Sequence, residues 1–249
     1  MKVRLDKLLV DRGLAASRER AQALILAGKV LVNDQKFDKA GAQVVADAAI
    51  RLLGEDLKYV SRGGLKLERA LEHWQINVEG KVCLDVGAST GGFTDCLLQH
   101  RAARVIALDT GYGQMDFTLR QNPRVRLLEK TNARYVTQEV IGEKVDLIVV
   151  DVAFISATLV LPPVVNAAFP QSLEERRGCN VIVLVKPQFE AGREFVGKGG
   201  IVRDLNAQLA SVEKVRKALL AMDCRSTDFI DSPILGAEGN REFLLRAVF

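Results

Sequence analysis

Residues 85–94 read DVGASTGGFT, and this stretch decides the fold class of the chain. The apolar residues 82–84 lead into it, which predicts a buried strand that ends in a carboxylate and a glycine-rich turn. Glycines in such a turn let backbone N–H groups approach a ligand with no Cβ in the way. A strand followed by this kind of turn is typical of the ligand site on a doubly wound α/β sheet.

The details of the turn select the kind of ligand. A dinucleotide-binding turn has glycine where this chain has Ser89, and a P-loop has Gly-Lys-Ser/Thr, which the turn lacks. A carboxylate at Asp85 repels phosphate but suits the ammonium end of S-adenosylmethionine. We therefore interpret the turn as a methyl-donor site, with a structural turn in another α/β protein as the alternative. The turn residues predicted to bind the donor are Asp85, Gly87, Ala88, Ser89, Gly91, Gly92 and Phe93.

Beyond residue 80 strand-like and helix-like patterns alternate, which predicts βαβ units and a parallel sheet. Seven strand-like runs, with a final antiparallel pair, predict a Rossmann-like methyltransferase domain of α/β class. The predicted strands are 82–86, 104–109, 125–128, 145–151, 180–186, 226–231 and 242–248, and the predicted helices include 92–99, 154–168 and 205–222.

Composition and charge limit the alternatives. The chain has 249 residues, 48% of them apolar, which suits one large domain or an ordinary domain plus a small one. Residues 1–75 carry 14 Lys and Arg against 10 Asp and Glu, so the net charge of +4 lies in the first third. This distribution favours a polyanionic partner, although a solvated basic face also explains it. The four cysteines form no C-x-x-C pair and only two histidines are present, so we expect no metal site and a reducing, cytoplasmic location.

Residues 147–169 are apolar over a length that can span a bilayer. Asp151 and the Pro162-Pro163 pair interrupt this run and favour a buried strand followed by a helix. We therefore expect no membrane partner. The oligomeric state stays open, with a monomer favoured.

The first third of the chain has its own pattern. Ser17 is a predicted N-cap for a helix over 18–27, a shorter helix precedes it, and strand-like runs follow at 30–32 and 50–53. Basic side chains on the two helices suit the sugar-phosphate backbone of structured RNA. We divide the chain into a small α+β domain over 1–56, a connecting segment with a helix over 57–75, and the α/β domain over 76–249. The predicted RNA contacts are Arg4, Lys7, Arg18, Arg20, Lys29 and Arg62.

Polar residues close several strands of the predicted sheet, and the carboxyl ends of parallel strands meet at one edge. Asp109 follows the second strand, where a carboxylate can accept the ribose hydroxyls of the donor. Asn132, followed by Ala133, is placed to read the adenine edge. Asp151 and Lys186 end two otherwise apolar runs, and a buried charge is costly unless it is paired. We therefore expect these two to pair at the site, with a purely structural ion pair as the alternative.

These motifs carry a resemblance to a known family. RLDKLL and SRERAQALILAGKVLVN resemble the S4 RNA-binding domain over about 50 residues. In order, the segments SRGGLKL, DVGASTGGFTD, ALDTGYGQM, LIVVDVAFIS, VKPQFE, GKGGIVRD and GAEGNREFLL resemble the FtsJ-type RNA 2′-O-methyltransferases. Together they resemble the TlyA (haemolysin A-like) family over nearly the whole chain. The resemblance implies an S4-like domain before the methyltransferase domain, and a catalytic tetrad formed by Lys66, Asp151, Lys186 and Glu238.

The resemblance also implies a reaction and a partner. The family methylates cytidine 2′-hydroxyls in ribosomal RNA with S-adenosylmethionine, so a ribosomal subunit is the expected partner. A ribose hydroxyl needs a base, and we expect Lys186 to serve, with Asp151 orienting it and helping to position the donor. Ala153 and Ala237 depart from the family pattern away from the tetrad. The chain starts directly at the S4-like motif, which resembles a shorter subgroup and implies 23S rather than 16S rRNA.

Three other functions stay open on the sequence alone. A small-molecule O-methyltransferase leaves the first domain unexplained. A membrane-active haemolysin requires an amphipathic pore segment or an export signal, and neither is visible. A non-enzymatic RNA-binding or ribosome-assembly factor conflicts with the intact glycine turn and tetrad.

Overall fold

The structure is a computed structural model that describes residues 2–15, 17–53, 58–169, 172, 174–236 and 238–249. The chain forms two compact units, Met1–Leu57 and Lys58–Phe249. The predicted domain boundary at 56/57 and the family departure at Ala237 lie outside the described residues.

The first unit packs a helix pair on short strands. Its elements are β1 (Lys2–Arg4), α1 (Leu5–Asp11), α2 (Arg18–Leu26), β2 (Val30–Val32), β3 (Gln35–Phe37), β4 (Gln43–Val45) and β5 (Ile50–Leu52). Strand β1 pairs antiparallel with β4, and β2 lies between β3 and β5. Leu5, Leu9 and Ile25 have no exposed surface and lie in its core. The predicted N-cap is confirmed, because the Ser17 hydroxyl accepts the N–H of Arg20 at 3.2 Å.

The second unit is built on one seven-stranded sheet. Three single-turn 3-10 helices occur at Ala133–Tyr135, Ala157–Leu159 and Arg193–Phe195. The other elements are α3 (Gly63–His73), β6 (Val82–Val86), α4 (Gly92–Gln99), β7 (Arg104–Leu108), α5 (Phe117–Arg120), β8 (Val125–Leu128), α6 (Gln138–Ile141), β9 (Leu147–Val150), α7 (Leu161–Ala168), β10 (Asn180–Val185), α8 (Pro187–Glu190), α9 (Leu205–Leu220), β11 (Ser226–Asp231) and β12 (Phe243–Val248).

The strand order is β11-β12-β10-β9-β6-β7-β8, and β12 runs antiparallel to both of its neighbours. The other neighbouring strands pair in parallel. All seven predicted strands are present, which confirms the Rossmann-like α/β fold class. From β6 the chain continues to β7 and β8 on one side of the sheet, whereas β9 and β10 lie on the other side. The strand order therefore reverses between β6 and β9. A ligand of such a sheet binds at the carboxyl ends of the strands on either side of this point.

Successive side chains along each strand point to opposite faces of the sheet, and both faces are buried. Leu84 and Ile148 point into one core, which α7 and α9 cover, whereas Cys83 and Val149 point into the other, which α3 and α4 cover. The helix predicted within the connecting segment, α3, is therefore part of the second unit, with Leu67 fully buried.

Helix α7 begins later than predicted. Its Pro162 and Pro163 occupy the first turn, where a missing backbone N–H costs no helical hydrogen bond. The apolar run over 147–169 is accordingly a strand, a loop and a short helix. Across the described ranges, no helix combines the length and the apolar character that a membrane span requires.

Candidate active site

Two charged residues follow the carboxyl ends of neighbouring parallel strands. Asp151 follows β9 and Lys186 follows β10. The Lys186 Nζ lies 2.5 Å from Asp151 Oδ1, and the side chains are 14% and 22% exposed. The contact is an ion pair whose geometry falls outside that of a hydrogen bond. The structure thus brings these two predicted catalytic residues together. Their pairing offsets the cost of burying either charge alone.

A second lysine–carboxylate pair lines the same cleft, and its acid is one that sequence reasoning missed. Lys66 of α3 donates to Glu242 over an Nζ–Oε2 distance of 2.5 Å, and the side chains are 10% and 3% exposed. Glu242 precedes β12, whose register pairs Phe243 with Val185. The amino end of antiparallel β12 therefore meets the carboxyl end of β10. A charge directly before an apolar run was the signal that could have identified Glu242.

Glu238, the acid predicted for that role, lies on the rim of the cleft. Its side chain is exposed and forms no ion pair within the part of the chain that is described. The neighbouring turn is fixed by Asn240, which is 1% exposed, donates to the Gly200 carbonyl at 2.9 Å and accepts the Val202 N–H at 3.0 Å. Glu238 faces the cleft without joining the pair at Lys66.

Two adjoining clefts open at the carboxyl edge of the sheet. The first has a volume of about 570 Å³ and is lined by both lysine–carboxylate pairs, Glu238 and Arg62. The second has a volume of about 500 Å³ and is lined by Asp109, Asn132 and Ala133. Both volumes lie in the range of small-molecule sites. The clefts meet at residues that line both, which are Gly87, Ser89, Asp151, Ala153 and Phe154.

The second cleft offers the groups that an adenosine requires. The Asp109 carboxylate accepts the N–H groups of Ser89 at 2.7 Å and Gly111 at 2.6 Å, which fixes it at the end of β7. The Asn132 side-chain oxygen accepts the Arg134 N–H at 3.0 Å, so its NH₂ group remains to donate. A fixed carboxylate suits ribose hydroxyls, and an amide suits an adenine edge. The residues present fit S-adenosylmethionine.

Close packing shapes the glycine-rich turn between β6 and α4. Gly87 has φ +86°, and a Cβ there would stand 2.4 Å from the Asp151 carbonyl oxygen. Gly91 has φ +95° and is the N-cap residue of α4. Both positions favour glycine. The other predicted turn residues that line a cleft are Ala88, Ser89, Gly92 and Phe93, whereas Gly91 lines neither.

Asp85 lies beneath this turn and lines neither cleft. It has no exposed surface, its Oδ2 accepts the Thr94 hydroxyl at 2.6 Å, and its Oδ1 has no hydrogen-bond partner among the described residues. Burial raises the pKa of Asp85 to about 7; the Thr94 hydrogen bond opposes this shift, and the charge of Asp151 adds to it. Asp85 therefore lies under the turn, and its contact with the donor's ammonium group stays a prediction.

Phe154 stands where the two clefts meet, in the loop after β9. Its side chain is 93% exposed, its φ is +63°, and its ring centroid lies 5.4 Å from that of Phe189. A left-handed backbone at a bulky residue is strained and persists only where the surroundings hold it. Glu190 holds this loop, because it accepts the Ser156 hydroxyl at 2.5 Å and the Ala157 N–H at 2.6 Å. Sequence reasoning singled out neither Phe154 nor Glu190.

The predicted RNA contacts are divided between the units. Arg62 is exposed at the first cleft of the second unit. The other five belong to the first unit, where three are exposed (Arg4, Lys7 and Arg18) and two are partly buried (Arg20 and Lys29). Among the residues that the structure covers, no group of three His, Cys, Asp or Glu side chains is arranged to hold a metal ion.

Comparison with known proteins agrees with this arrangement. Residues 59–249 match the FtsJ-like methyltransferase family, and residues 3–50 match the S4 domain. A solved structure from Streptococcus thermophilus, provisionally named a hemolysin, is 40% identical, with a TM-score of 0.71 over 99% of this chain and 88% of that one.

Curated relatives show similarity over nearly the whole chain. YqxC of Bacillus subtilis (strain 168), provisionally named an rRNA methyltransferase, is 46% identical over 98% of this chain and 85% of the relative. The 16S/23S rRNA (cytidine-2′-O)-methyltransferase TlyA of Mycobacterium tuberculosis is 44% identical over 98% and 89%. The 23S rRNA (cytidine-2′-O)-methyltransferase TlyA of Campylobacter jejuni is 35% identical over 94% and 95%. The chain therefore belongs to the TlyA (haemolysin A-like) branch of the FtsJ-like methyltransferases, an S-adenosylmethionine-dependent family that carries an S4 domain.

Proposed function

We propose that this chain transfers a methyl group from S-adenosylmethionine to the 2′-hydroxyl of a cytidine in ribosomal RNA. The observation that carries this proposal is the Lys186–Asp151 pair, because Asp151 lines both clefts at the place where they meet. The names of the Mycobacterium tuberculosis and Campylobacter jejuni relatives support the same reaction. The S4 domain of the first unit supports an RNA substrate.

The two clefts divide the work between donor and acceptor. Asp109 and Asn132 hold the adenosine part of the donor in the second cleft, and the first cleft receives the ribose. The donor supplies an electrophilic methyl group, which leaves sulfur for the ribose oxygen. That oxygen becomes a competent nucleophile as its proton leaves. Lys186 releases a proton to solvent and then accepts the hydroxyl proton at Nζ, and the Asp151 carboxylate stabilises the ammonium group that results.

The remaining residues of the first cleft orient the target nucleotide. The Lys66–Glu242 pair forms a rigid, charged wall of the first cleft, against which the ribose lies. Phe154 offers an exposed aromatic surface beside Phe189, on which an extruded base can stack. We propose that a monomer is the active form.

We propose 23S rRNA as the substrate. The TlyA relatives from Mycobacterium tuberculosis and Campylobacter jejuni are both named for 23S rRNA, and the first is also named for 16S rRNA. The partner is then the large ribosomal subunit or its RNA, and we expect the reaction to occur in the cytoplasm.

Labelled methyl transfer tests the proposal directly. The purified protein is incubated with radiolabelled S-adenosylmethionine and one substrate in each reaction. The substrates are 50S subunits, 30S subunits and their free RNAs. We expect label in 23S rRNA, and primer extension at low nucleotide concentration should stop at one cytidine. Nuclease digestion and mass spectrometry then separate ribose from base methylation. Label on a base or no label in any RNA would refute the proposal, and label in 16S rRNA alone would refute its choice of subunit.

A further inference from the structure

Asp6 is buried in the first unit and gathers basic side chains around it. It lies in the first turn of α1, and its side chain has no exposed surface. Within the described residues its oxygens accept hydrogen bonds from Arg4 Nε at 3.0 Å and Nη2 at 2.8 Å, Arg18 Nε at 3.0 Å, Gln22 Nε2 at 3.0 Å and the Lys7 backbone N–H at 2.9 Å. The Arg4 hydrogen bond is the largest cause that holds the pKa of Asp6 well below its usual range, against the opposing effect of burial.

The two arginines keep donors that Asp6 does not use. A guanidinium group has five N–H donors, and Asp6 engages Nε and Nη2 of Arg4 but only Nε of Arg18. The Arg4 and Arg18 side chains are 44% and 53% exposed, so the remaining donors can reach a ligand from solvent. Two positive charges on one buried carboxylate leave an excess of one positive charge.

A purely structural role for Asp6 does not explain why both arginines converge. A buried carboxylate needs one cation to balance its charge, yet Arg4 Nη2 and Arg18 Nε both bond to the same oxygen, Oδ2. The two guanidinium groups come from separate elements, β1 and α2, and this shared oxygen holds them next to each other. Like charges held side by side repel, and an anion that binds both relieves the repulsion.

We propose that Asp6 is a positioning residue that holds the Arg4 and Arg18 guanidinium groups as a two-pronged site for one backbone phosphate of RNA. The inference rests on the proposed function for the identity of its polyanion. Guanidinium donors match phosphate oxygens in pairs, and side chains that are already fixed lose less conformational freedom on binding. The site recognises the RNA backbone and carries no information about base sequence.

The Asp6→Asn variant separates positioning from general charge attraction. The replacement raises the net charge of the chain from +4 to +5, so charge alone predicts tighter binding of RNA. Positioning predicts the opposite, a loss of about tenfold in affinity and a salt dependence smaller by about one released counterion. Filter binding of radiolabelled 23S rRNA to the full chain, without methyl donor and at several salt concentrations, measures both quantities.

A charge-preserving pair of variants keeps the test decisive if Asp6→Asn does not fold. Arg18→Lys retains the charge but loses the Nε–H that bonds to Asp6. Arg51→Lys is its matched control, because Arg51 belongs to the same unit, is 65% exposed and pairs only at the surface with Asp34 at 3.1 Å. We expect Arg18→Lys to bind RNA about tenfold more weakly and Arg51→Lys to bind like the wild type.

Three results would overturn the inference: no binding of RNA by the wild type, unweakened binding by folded Asp6→Asn, or equal binding by the two lysine variants. Because binding is measured without methyl transfer, the two proposals fail separately. A wild-type chain that binds RNA but methylates no ribose would contradict the proposed function and leave the phosphate site intact.

Discussion

The two lysine–carboxylate pairs of the first cleft share the same chemistry but differ in their surroundings. Lys186 and Asp151 follow parallel strands, are 14% and 22% exposed, and Asp151 also lines the second cleft. Lys66 and Glu242 join a helix to an antiparallel strand and are 10% and 3% exposed. A group that exchanges a proton with substrate needs access to the substrate. A pair that is closed off from solvent can instead hold the side chains around it in place. We infer that the first pair reacts and the second supports it.

Replacing the reactive lysine should have the largest effect. We expect Lys186→Met to lower the rate of methyl transfer by about 10²–10⁴-fold, the range that a general base contributes. Donor affinity should stay within a few-fold of the wild type, because Lys186 lines the first cleft but not the second. Single-turnover transfer to 23S rRNA and calorimetric titration with S-adenosylmethionine measure the two quantities.

Lys144→Met is the matched control, because the Lys144 side chain is 62% exposed and lines neither cleft. Its transfer rate should equal that of the wild type. Wild-type turnover by Lys186→Met would assign the base elsewhere. A parallel loss of donor binding would instead show that the two clefts do not divide donor from acceptor.

Breaking the supporting pair should cost both stability and activity. Glu242→Gln leaves the Lys66 ammonium group buried without its counter-charge, so we expect the free energy of unfolding to fall by about 3–5 kcal/mol. Transfer should fall as well, because the charged wall of the first cleft is disturbed. Chemical denaturation and the transfer assay follow the two effects.

The double variant Lys66→Met/Glu242→Leu sharpens this comparison. Replacing both partners with apolar residues of similar size removes the unpaired charge, so most of the lost stability should return. Methyl transfer should stay low. If transfer returns together with stability, the Lys66–Glu242 pair is purely structural and has no part in orienting the ribose.

Asp85 is another buried acid at this edge of the sheet, and among the described residues no lysine pairs with it. Its pKa is raised to about 7 in the folded state, so the folded chain keeps a proton that the unfolded chain releases at lower pH. The free energy of unfolding therefore falls as pH rises toward 7, because the unfolded chain releases this proton more readily. Above about pH 7 the destabilising effect of Asp85 has reached its full size. We expect Asp85→Asn to gain stability relative to the wild type between pH 5 and pH 8.

Thermal melts of both proteins across this pH range test the prediction. The difference between their melting temperatures should move in favour of Asp85→Asn as pH rises, and level off at about pH 8. A difference that does not change with pH would mean that the folded and unfolded chains bind the same number of protons at this residue.

The fold was predictable because its signals are local and repeated. Strands buried on both faces give unbroken apolar runs, so the runs ending at Asp151 and Lys186 identified both their strands and the edge at which the clefts open. The predicted donor residues follow from the same rule, since Asp109 comes directly after β7 and Asn132 lies in the loop that follows β8.

What the sequence did not reveal depends on long-range pairing and burial. The partner of Lys66 is separated from it by 176 residues, and the antiparallel register of β12 decides which acid meets it. The depth of Asp85 beneath the turn follows from the packing of α4, and the left-handed backbone of Phe154 from the loop that Glu190 holds. The charge directly before the apolar run of β12 could have identified Glu242, but spacing and periodicity do not predict which groups these residues contact.

Glu238→Gln should have the smallest effect of the changes considered, and it is the matched partner of Glu242→Gln. The two substitutions are chemically identical and lie on the same cleft, but Glu238 is exposed and Glu242 is 3% exposed against Lys66. We expect Glu238→Gln to change the transfer rate by no more than about twofold and the stability by no more than about 0.5 kcal/mol. The same transfer and denaturation measurements apply to both. A loss at Glu238 as large as that at Glu242 would return the fourth catalytic position to the turn and reduce the Lys66–Glu242 contact to a structural ion pair.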